Sequence, residues 1–309
     1  MKFIVGGNML EKFKEYLIKK KNPYVETISK DLGIEEYQVY GLVELLKREG
    51  YLFDIVNNQV VKIKPVKENG IYQIPNNLEH IKLLLISDTH LANKYDRLDI
   101  LRYIYEKASE NGTQYVLHSG DLTDGFKRDE QVYQLKEASY TGQRDYVIDK
   151  YPKSDIPTYL IAGNHDLWWY KKCGADICKD VSNNREDIHY LGSDCEDLHI
   201  GKLKIRLFHG IGGGSYAKSY KLQKYLDSIP MEERPHILQT GHIHQAFYMK
   251  QGKTHCFQTS CLQDMTPYER SNGFNNDKSC WWLDITMDNK GNPVEVKQEL
   301  ETFGKTLKR

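Results

Sequence analysis

No two of the six cysteines in this 309-residue chain form a C-x-x-C pair. Cys173, Cys178, Cys195, Cys256, Cys261 and Cys280 are scattered through a chain too long to need disulfide staples, so reduced thiols are expected and a zinc-ribbon site is not. Net charge is also missing: 43 basic and 43 acidic residues cancel, so no whole-molecule field draws the protein to nucleic acid or to an anionic membrane. Any such binding must come from local patches. No apolar run reaches membrane-spanning length, and MKFIVGGNMLEKF turns charged too soon and lacks a signal-peptide cleavage pattern. The expectation is a cytoplasmic protein without membrane association. Repeats and low-complexity tracts are absent. What remains, 39% hydrophobic and 28% charged residues, suits a globular protein with one large domain and a small one.

The small one comes first. Leu10, Phe13 and Leu17 recur at helical spacing. Asn22-Pro23 offers a cap and a first-turn proline for a second helix through Val25, Ile28 and Leu32, ended by Gly33. Val39, Leu42, Val43 and Leu46 mark a third, stopped near Gly50, and YLFDIVNNQVVKIKP reads as a hairpin turning at Asn57-Asn58. In its order of elements, this stretch resembles a winged helix-turn-helix domain over residues 8 to 65. That resemblance implies DNA binding through the third helix. Glu35, Glu36, Glu44 and Glu49, however, outnumber Lys47 and Arg48 around that helix, which suits a protein-docking or dimerising module equally well. The expected division is residues 1–66, a turn-rich linker over 67–80 (within KENGIYQIPNNLEH) and a main domain over 81–309.

From Ile81 the pattern becomes apolar runs of strand length separated by helical stretches, an α/β arrangement. IKLLLIS, YVLHSG, TYLIAG and HILQTG read as buried strands, KLKIRLF as a half-exposed one. CWWLDITMDNKGNPVEVKQEL reads as a hairpin turning at Asn289 to Asn292. The strand ends carry the chemistry: Asp88 and His90 after the first, Asp121 after YVLHSG, Asn164, His165 and Asp166 after YLIAG, His209 after IRLF, His242 and His244 after ILQTG. Spacing by two puts Asp88 with His90, and His242 with His244, on one side of an extended chain. A plain turn would need only Gly163-Asn164, so His165-Asp166 is surplus to it. Strand C-terminal ends are where open α/β sheets assemble their sites. This donor set, nitrogen and oxygen without sulfur, suits two divalent cations and in-line displacement at phosphorus.

Asp88-x-His90, Gly120-Asp121, Gly163-Asn164-His165-Asp166, His209 and Gly241-His242-x-His244 together resemble the calcineurin-like metallophosphoesterases, in that family's order, over residues 81 to 290. The resemblance implies a four-layer α/β/β/α sandwich behind the small winged-helix domain. It also implies a first metal on Asp88, His90 and His244, Asp121 as bridge, and a second metal on Asn164, His209 and His242. A metal-bridging hydroxide would attack phosphorus, with His165 as the acid and Asp166 orienting its ring. Manganese is the first expectation for the two divalent ions, with iron, zinc or nickel as alternatives. His189, His199 and His236 are rivals for His209, but His199 lies just ahead of a turn and His236 starts a strand rather than ending one. His118 reads as a packed strand residue, while His80 and His255 gain no role.

For substrate, Arg128, Arg144, Lys171 and Lys172 could meet phosphates and Trp168 or Trp169 could stack on a base, although charged helix faces are usually solvated and paired tryptophans usually fill core. Gly212-Gly213-Gly214 permits either a mobile loop or a close backbone approach. The first reading is a phosphodiesterase acting as a nuclease on DNA, resembling the repair-type exonucleases of the superfamily, with nucleic acid as partner. The second is a phosphomonoesterase on protein or nucleotide, with residues 1–66 as a docking module for a protein partner or a homodimer. A non-catalytic metal-binding scaffold is disfavoured by the intact Asn164, His165 and Asp166.

Overall fold

The computed structural model describes residues 7–48, 53–62, 66–68, 70–76, 78–127, 129–210 and 212–304. Three helices come first, α1 (Gly7–Lys19), α2 (Val25–Leu32) and α3 (Glu36–Arg48). A hairpin of β1 (Phe53–Val56) and β2 (Gln59–Lys62) follows. Its turn residues Asn57 and Asn58 have φ +50° and +63°, a two-residue turn whose twist matches the strands it joins. Phe13, Leu17, Val25, Ile28, Val39, Leu42, Leu46, Phe53 and Val60 close one core over these elements. Burying one such side chain stabilises the unit by about 1.5–3 kcal/mol. Glu49 and Gly50 lie outside the described residues.

Two expectations change here. The second helix starts at Val25 rather than at Pro23, because Tyr24 bridges antiparallel to Gln59 and the Pro23 carbonyl accepts from Val60, holding this segment extended against the hairpin. The turn-rich stretch after the hairpin is also more ordered than its composition suggests. Within it, β3 (Val66–Glu68) and β4 (Ile71–Ile74) pair with each other, and β4 runs parallel to β9 (Cys195–Ile200) at the edge of a large sheet. Gly70, at φ +82°, turns one strand into the other.

The remaining elements are β5 (His80–Ile86), α4 (Leu98–Glu110), β6 (Tyr115–His118), α5 (Tyr140–Lys150), β7 (Thr158–Ala162), α6 (Asn164–Cys173), α7 (Ile177–Asn184), β8 (Ile188–Ser193), β10 (Leu203–Phe208), α8 (Ser219–Asp227), β11 (Ile237–Thr240), β12 (Phe247–Gln251), β13 (Thr254–Gln258), α9 (Pro267–Ser271), β14 (Ser279–Met287) and β15 (Pro293–Thr302). They build two mixed sheets, ordered β15-β14-β5-β6-β7-β8 and β12-β13-β11-β10-β9-β4-β3.

Strand alternation sorts the side chains into layers. Leu83, Leu85, Leu117, Tyr159 and Ile161 face the second sheet and pack on Leu198, Ile205, Leu207 and Phe257. Leu84, Ile86, Val116, Leu160 and Ala162 face the opposite way, onto Ile100, Ile104, Val147, Trp169 and Val181 of α4 to α7. On the far side of the second sheet, Leu222 and Leu226 of α8 cover Leu238 and Cys256. The order is therefore helices, sheet, sheet, helix, and strands buried on both faces read as near-continuous apolar runs. Gln239 ties the two sheets near the strand ends, its side-chain amide donating to the carbonyls of Ile86 and Leu117.

Candidate metal centre

Past Ile86 and His118 the chains leave their strands but stay laddered. Asp88 N–H donates to the Gly120 carbonyl, His90 to Asp121 and Leu91 to Leu122. The pairs two residues apart are not extended, as spacing alone suggested. Asp88, His90, Asp121, His242 and His244 have φ of 50°, 42°, 55°, 73° and 57°, all left-handed. Non-glycine residues hold such conformations only where the surroundings fix them, and such strain gathers at functional sites. Glycines make room beside them: a Cβ on Gly120 would crowd His209, one on Gly163 would collide with the Asp121 carboxylate, and one on Gly241 with Ser87 and Asp88.

The side chains meet in three overlapping groups able to hold cations: Asp88, His90 and His244; His90, Asp121 and His165; Asp121, His209 and His242. Inner nitrogen and oxygen atoms face one another. His90 Nε2 lies 3.1 Å from His244 Nε2, His244 Nε2 lies 3.3 Å from Asp88 Oδ1, and His209 Nε2 lies 3.3 Å from Asp121 Oδ2. Asn164 Oδ1 is 3.0 Å and His242 Nδ1 3.3 Å from His209 Nε2. Bonds of about 2.0–2.2 Å to a shared cation separate neighbouring ligand atoms by about 3–3.5 Å, so the residues fit the group.

The outer nitrogens explain why the inner ones converge. His209 Nδ1–H donates to the Ser119 carbonyl at 2.8 Å, His244 Nδ1–H to Glu269 Oε1 at 2.8 Å, His242 Nε2–H to the Gly212 carbonyl at 3.0 Å and His165 Nδ1–H to the Asp124 carbonyl at 2.7 Å. His90 Nδ1 sits 3.5 Å from the Asp124 carboxylate, an electrostatic contact rather than a hydrogen bond. Each acceptor fixes its ring's tautomer and leaves the other nitrogen's lone pair pointing inward. Burial would push His209 down, yet Asp121, Asp88 and the Ser119 carbonyl raise it to about 10. The pocket calls for positive charge, and a proton is the smallest cation that answers. His165 goes the other way: burial outweighs the pull of Asp121 and lowers it to about 4.

All nine residues singled out in the sequence reach this edge, but Asp166 does not orient His165. It stands at the third position of α6, and its carboxylate accepts from Gly163 N–H at 3.0 Å, Leu122 N–H at 3.1 Å, and Thr123 N–H and Oγ1–H at 2.8 Å each. It thus staples the loop carrying Asp121 to the loop carrying Asn164. Burial first, then the Asp121 charge, raise its carboxyl to about 6. Ring orientation falls to the Asp124 carbonyl. Glu269, lowered to about 2 because the bond to His244, the His244 charge and the bonds from Thr266 together outweigh burial, is a partner the sequence did not disclose. Its visible signal is the capping box Thr266 to Glu269 that opens α9, which marks a helix start and nothing more.

The other histidines lie elsewhere. His189 stacks on Tyr159, His199 bonds Gln73, and His236 accepts from Lys204 N–H. His118 is fully buried, bonded to Thr89 and Gly120. A groove of about 740 Å³ opens over the cluster, lined among others by Lys127, Trp168, Gly212 to Gly214, Tyr268 and Phe274. Of the cations expected there, Arg128 lies outside the described residues, Arg144 pairs with Asp145, and Lys172 lies 3.7 Å over the Phe126 ring. Lys171, like these two, is not among the described lining residues. Trp169 fills core, while Trp168 packs on His165 with ring centroids 3.9 Å apart.

Two carboxylates, five imidazoles and an amide at converging strand ends define a hydrolytic metal centre. The comparisons narrow the class. Residues 81–266 match the calcineurin-like phosphoesterase superfamily domain, more than half of the chain, and this protein belongs to that superfamily. No curated protein matches it. Solved structures similar to it include a novel archaeal phosphodiesterase, 14% identical over 72% of this chain and 100% of that one, TM-score 0.43. Another is vacuolar protein sorting 29 of Cryptosporidium parvum, 15% identical over 73% and 99%, TM-score 0.38. Among the described residues, no helix is long and apolar enough to cross a membrane.

Proposed function

We propose that this phosphoesterase is a phosphodiesterase acting as a nuclease, with DNA as its substrate. The observation that carries this reading is the groove over the cluster, about 740 Å³ in volume and partly aromatic, with Trp168, Tyr268, Phe274 and Lys127 in its lining. Aromatic faces hold successive bases of a strand without sequence preference. Asp88, His90 and His244 would hold one divalent cation and Asn164, His209 and His242 a second, with Asp121 between them; manganese is our first choice. Such a pair supplies positive charge for the phosphoryl oxygens and acidifies a water.

The chain's own groups do the rest. His165, with Nδ1–H committed to the Asp124 carbonyl, presents Nε2 to the groove 4.0 Å from Asp121 Oδ2. It is the group placed to move a proton between groove and leaving oxygen, and the charge of a bound phosphodiester favours the protonated ring. Trp168 packs on one side of it and restricts its tilt.

In this reading the three helices and hairpin are a winged-helix unit that serves the same substrate. One observation favours the second reading, a phosphomonoesterase with this unit as a docking module for a protein or a second copy. Lys21 pairs with Glu186 at 3.5 Å, and the cleft between the unit and the main body is lined by Asp155 and Asp187, at the strand starts rather than the metal-bearing ends. Manganese-dependent degradation of end-labelled DNA, lost in His165→Ala, tests the proposal. Intact DNA alongside release of phosphate from monoesters would move the assignment to the second reading.

A further inference from the structure

A second cavity, of about 470 Å³, adjoins the groove, sharing Gly214, Ile243 and Gln245 with it. Strand alternation explains its lining. Leu238 and Cys256 face α8, so the next outward residues on those strands, Thr240 and Gln258, stand at the strand ends and complete the same face with polar groups. Phe208 stacks on Tyr225 of α8, ring centroids 4.1 Å apart and 10° from parallel, forming an aromatic wall. Thr240 is 4% exposed, and among the described residues its hydroxyl has no hydrogen-bond partner. Buried hydroxyls are almost always paired, and one that is not needs an explanation, which a polar molecule seated in the cavity supplies.

We propose that this cavity binds the nucleobase adjoining the scissile phosphate, which makes a nucleoside-bearing phosphodiester the substrate class. The inference rests on the phosphodiesterase reading above and adds a base-recognising subsite to it. The volume falls within the range of about 300–1,000 Å³ typical of small-molecule sites, apolar walls with a few convergent polar groups. A planar heterocycle carries ring donors and acceptors at its edge, which meet the Thr240 hydroxyl and what remains of the Gln258 amide, whose Nε2 donates to the Gln245 carbonyl, while its faces suit the aromatic wall. Ile243 stands between His242 and His244, so a base seated here has its phosphate at the metal edge. Lys218 and Lys224, also in the lining, supply cations for flanking phosphates.

The test compares KM for the dinucleotide dApdA with KM for the same diester carrying an abasic residue in place of one base, in wild type, Thr240→Val and Phe208→Leu. Wild type is expected to favour the base-bearing substrate at least tenfold, and each variant to shrink that ratio to threefold or less. Thr240→Val should also keep or raise the melting temperature, because it removes an unpaired buried hydroxyl. Equal KM values for the two diesters in wild type would overturn the cavity assignment and leave the phosphodiesterase reading standing. So would a ratio untouched by both variants, or a clear drop in the melting temperature of Thr240→Val. Failure of wild type to cleave either diester while it hydrolyses monoesters would overturn both.

Discussion

The strand-end cluster and the N-terminal helical unit differ in what they bury. Among the described residues no buried polar or charged side chain precedes Ser87, whereas Asp88, His90, Asp121 and His209 are each 1% exposed or less. The described part of the helical unit buries apolar side chains and keeps its polar side-chain contacts, such as Tyr16 and Lys20 to Asp31, nearer the surface. The cluster keeps carboxylates and imidazoles out of water, and five of its members sit in left-handed backbone at a cost of about 1–3 kcal/mol each. The rest of the fold must over-determine the site, and it does so through the laddered loops, the Asp166 staple and the outer acceptors of His165, His209, His242 and His244. One region is built for stability and the other for charge held in readiness.

The largest break should come at Asp121, which faces His90, His165 and His209 at once. Asp121→Ala is expected to lower phosphoester turnover by about a thousandfold or more, because two cations held as proposed would lose a shared ligand. In chelator-treated protein the same change should also lower the melting temperature, because His209 and the His165 N–H lose their buried carboxylate partner; steady-state kinetics and calorimetry check the two halves. Leu42→Ala should spare catalysis. A fully packed side chain of α3 is lost, so urea unfolding should show the helical unit weakened by about 2–5 kcal/mol. Turnover of a small chromogenic phosphoester should hold.

Glu269→Gln tests the outer ring of acceptors. It keeps the shape but weakens the hold on His244 Nδ1, and outer-partner changes typically cost about 10–100-fold in metal affinity. Titration with Mn²⁺ followed by turnover reads that shift.

The smallest effect concerns pH. Burial lowers His118 from 6.5 to about 4, so the unfolded chain binds a proton there that the folded one refuses. Its contribution is present above about pH 6.5 and fades as pH falls toward 4, a loss of about 2 kcal/mol between pH 7 and pH 5. Urea midpoints at the two pH values should differ less in His118→Gln than in wild type.

Much of the site was legible because its residues sit where strands end, and an apolar run followed by glycine and a ligand-type residue shows in sequence. The hairpin at Asn57-Asn58 and the three amphipathic helices were legible for the same kind of reason, a local pattern with a local cause. What stayed hidden depends on contacts distant in sequence or on backbone atoms. Asp166 stands next to His165 in the chain, yet the first turn of α6 aims it back at Leu122 and Thr123. The Asp124 and Ser119 carbonyls that fix ring tautomers carry no residue signature, and β4 became a strand only because β9 offered it an edge.

If seven side chains from five strand ends hold two cations, protein equilibrated with Mn²⁺ and freed of excess should carry two manganese ions per wild-type chain and one or none in Asp121→Ala, as read by plasma mass spectrometry. Equal content in the two proteins, or none in wild type, would rule the two-cation site out.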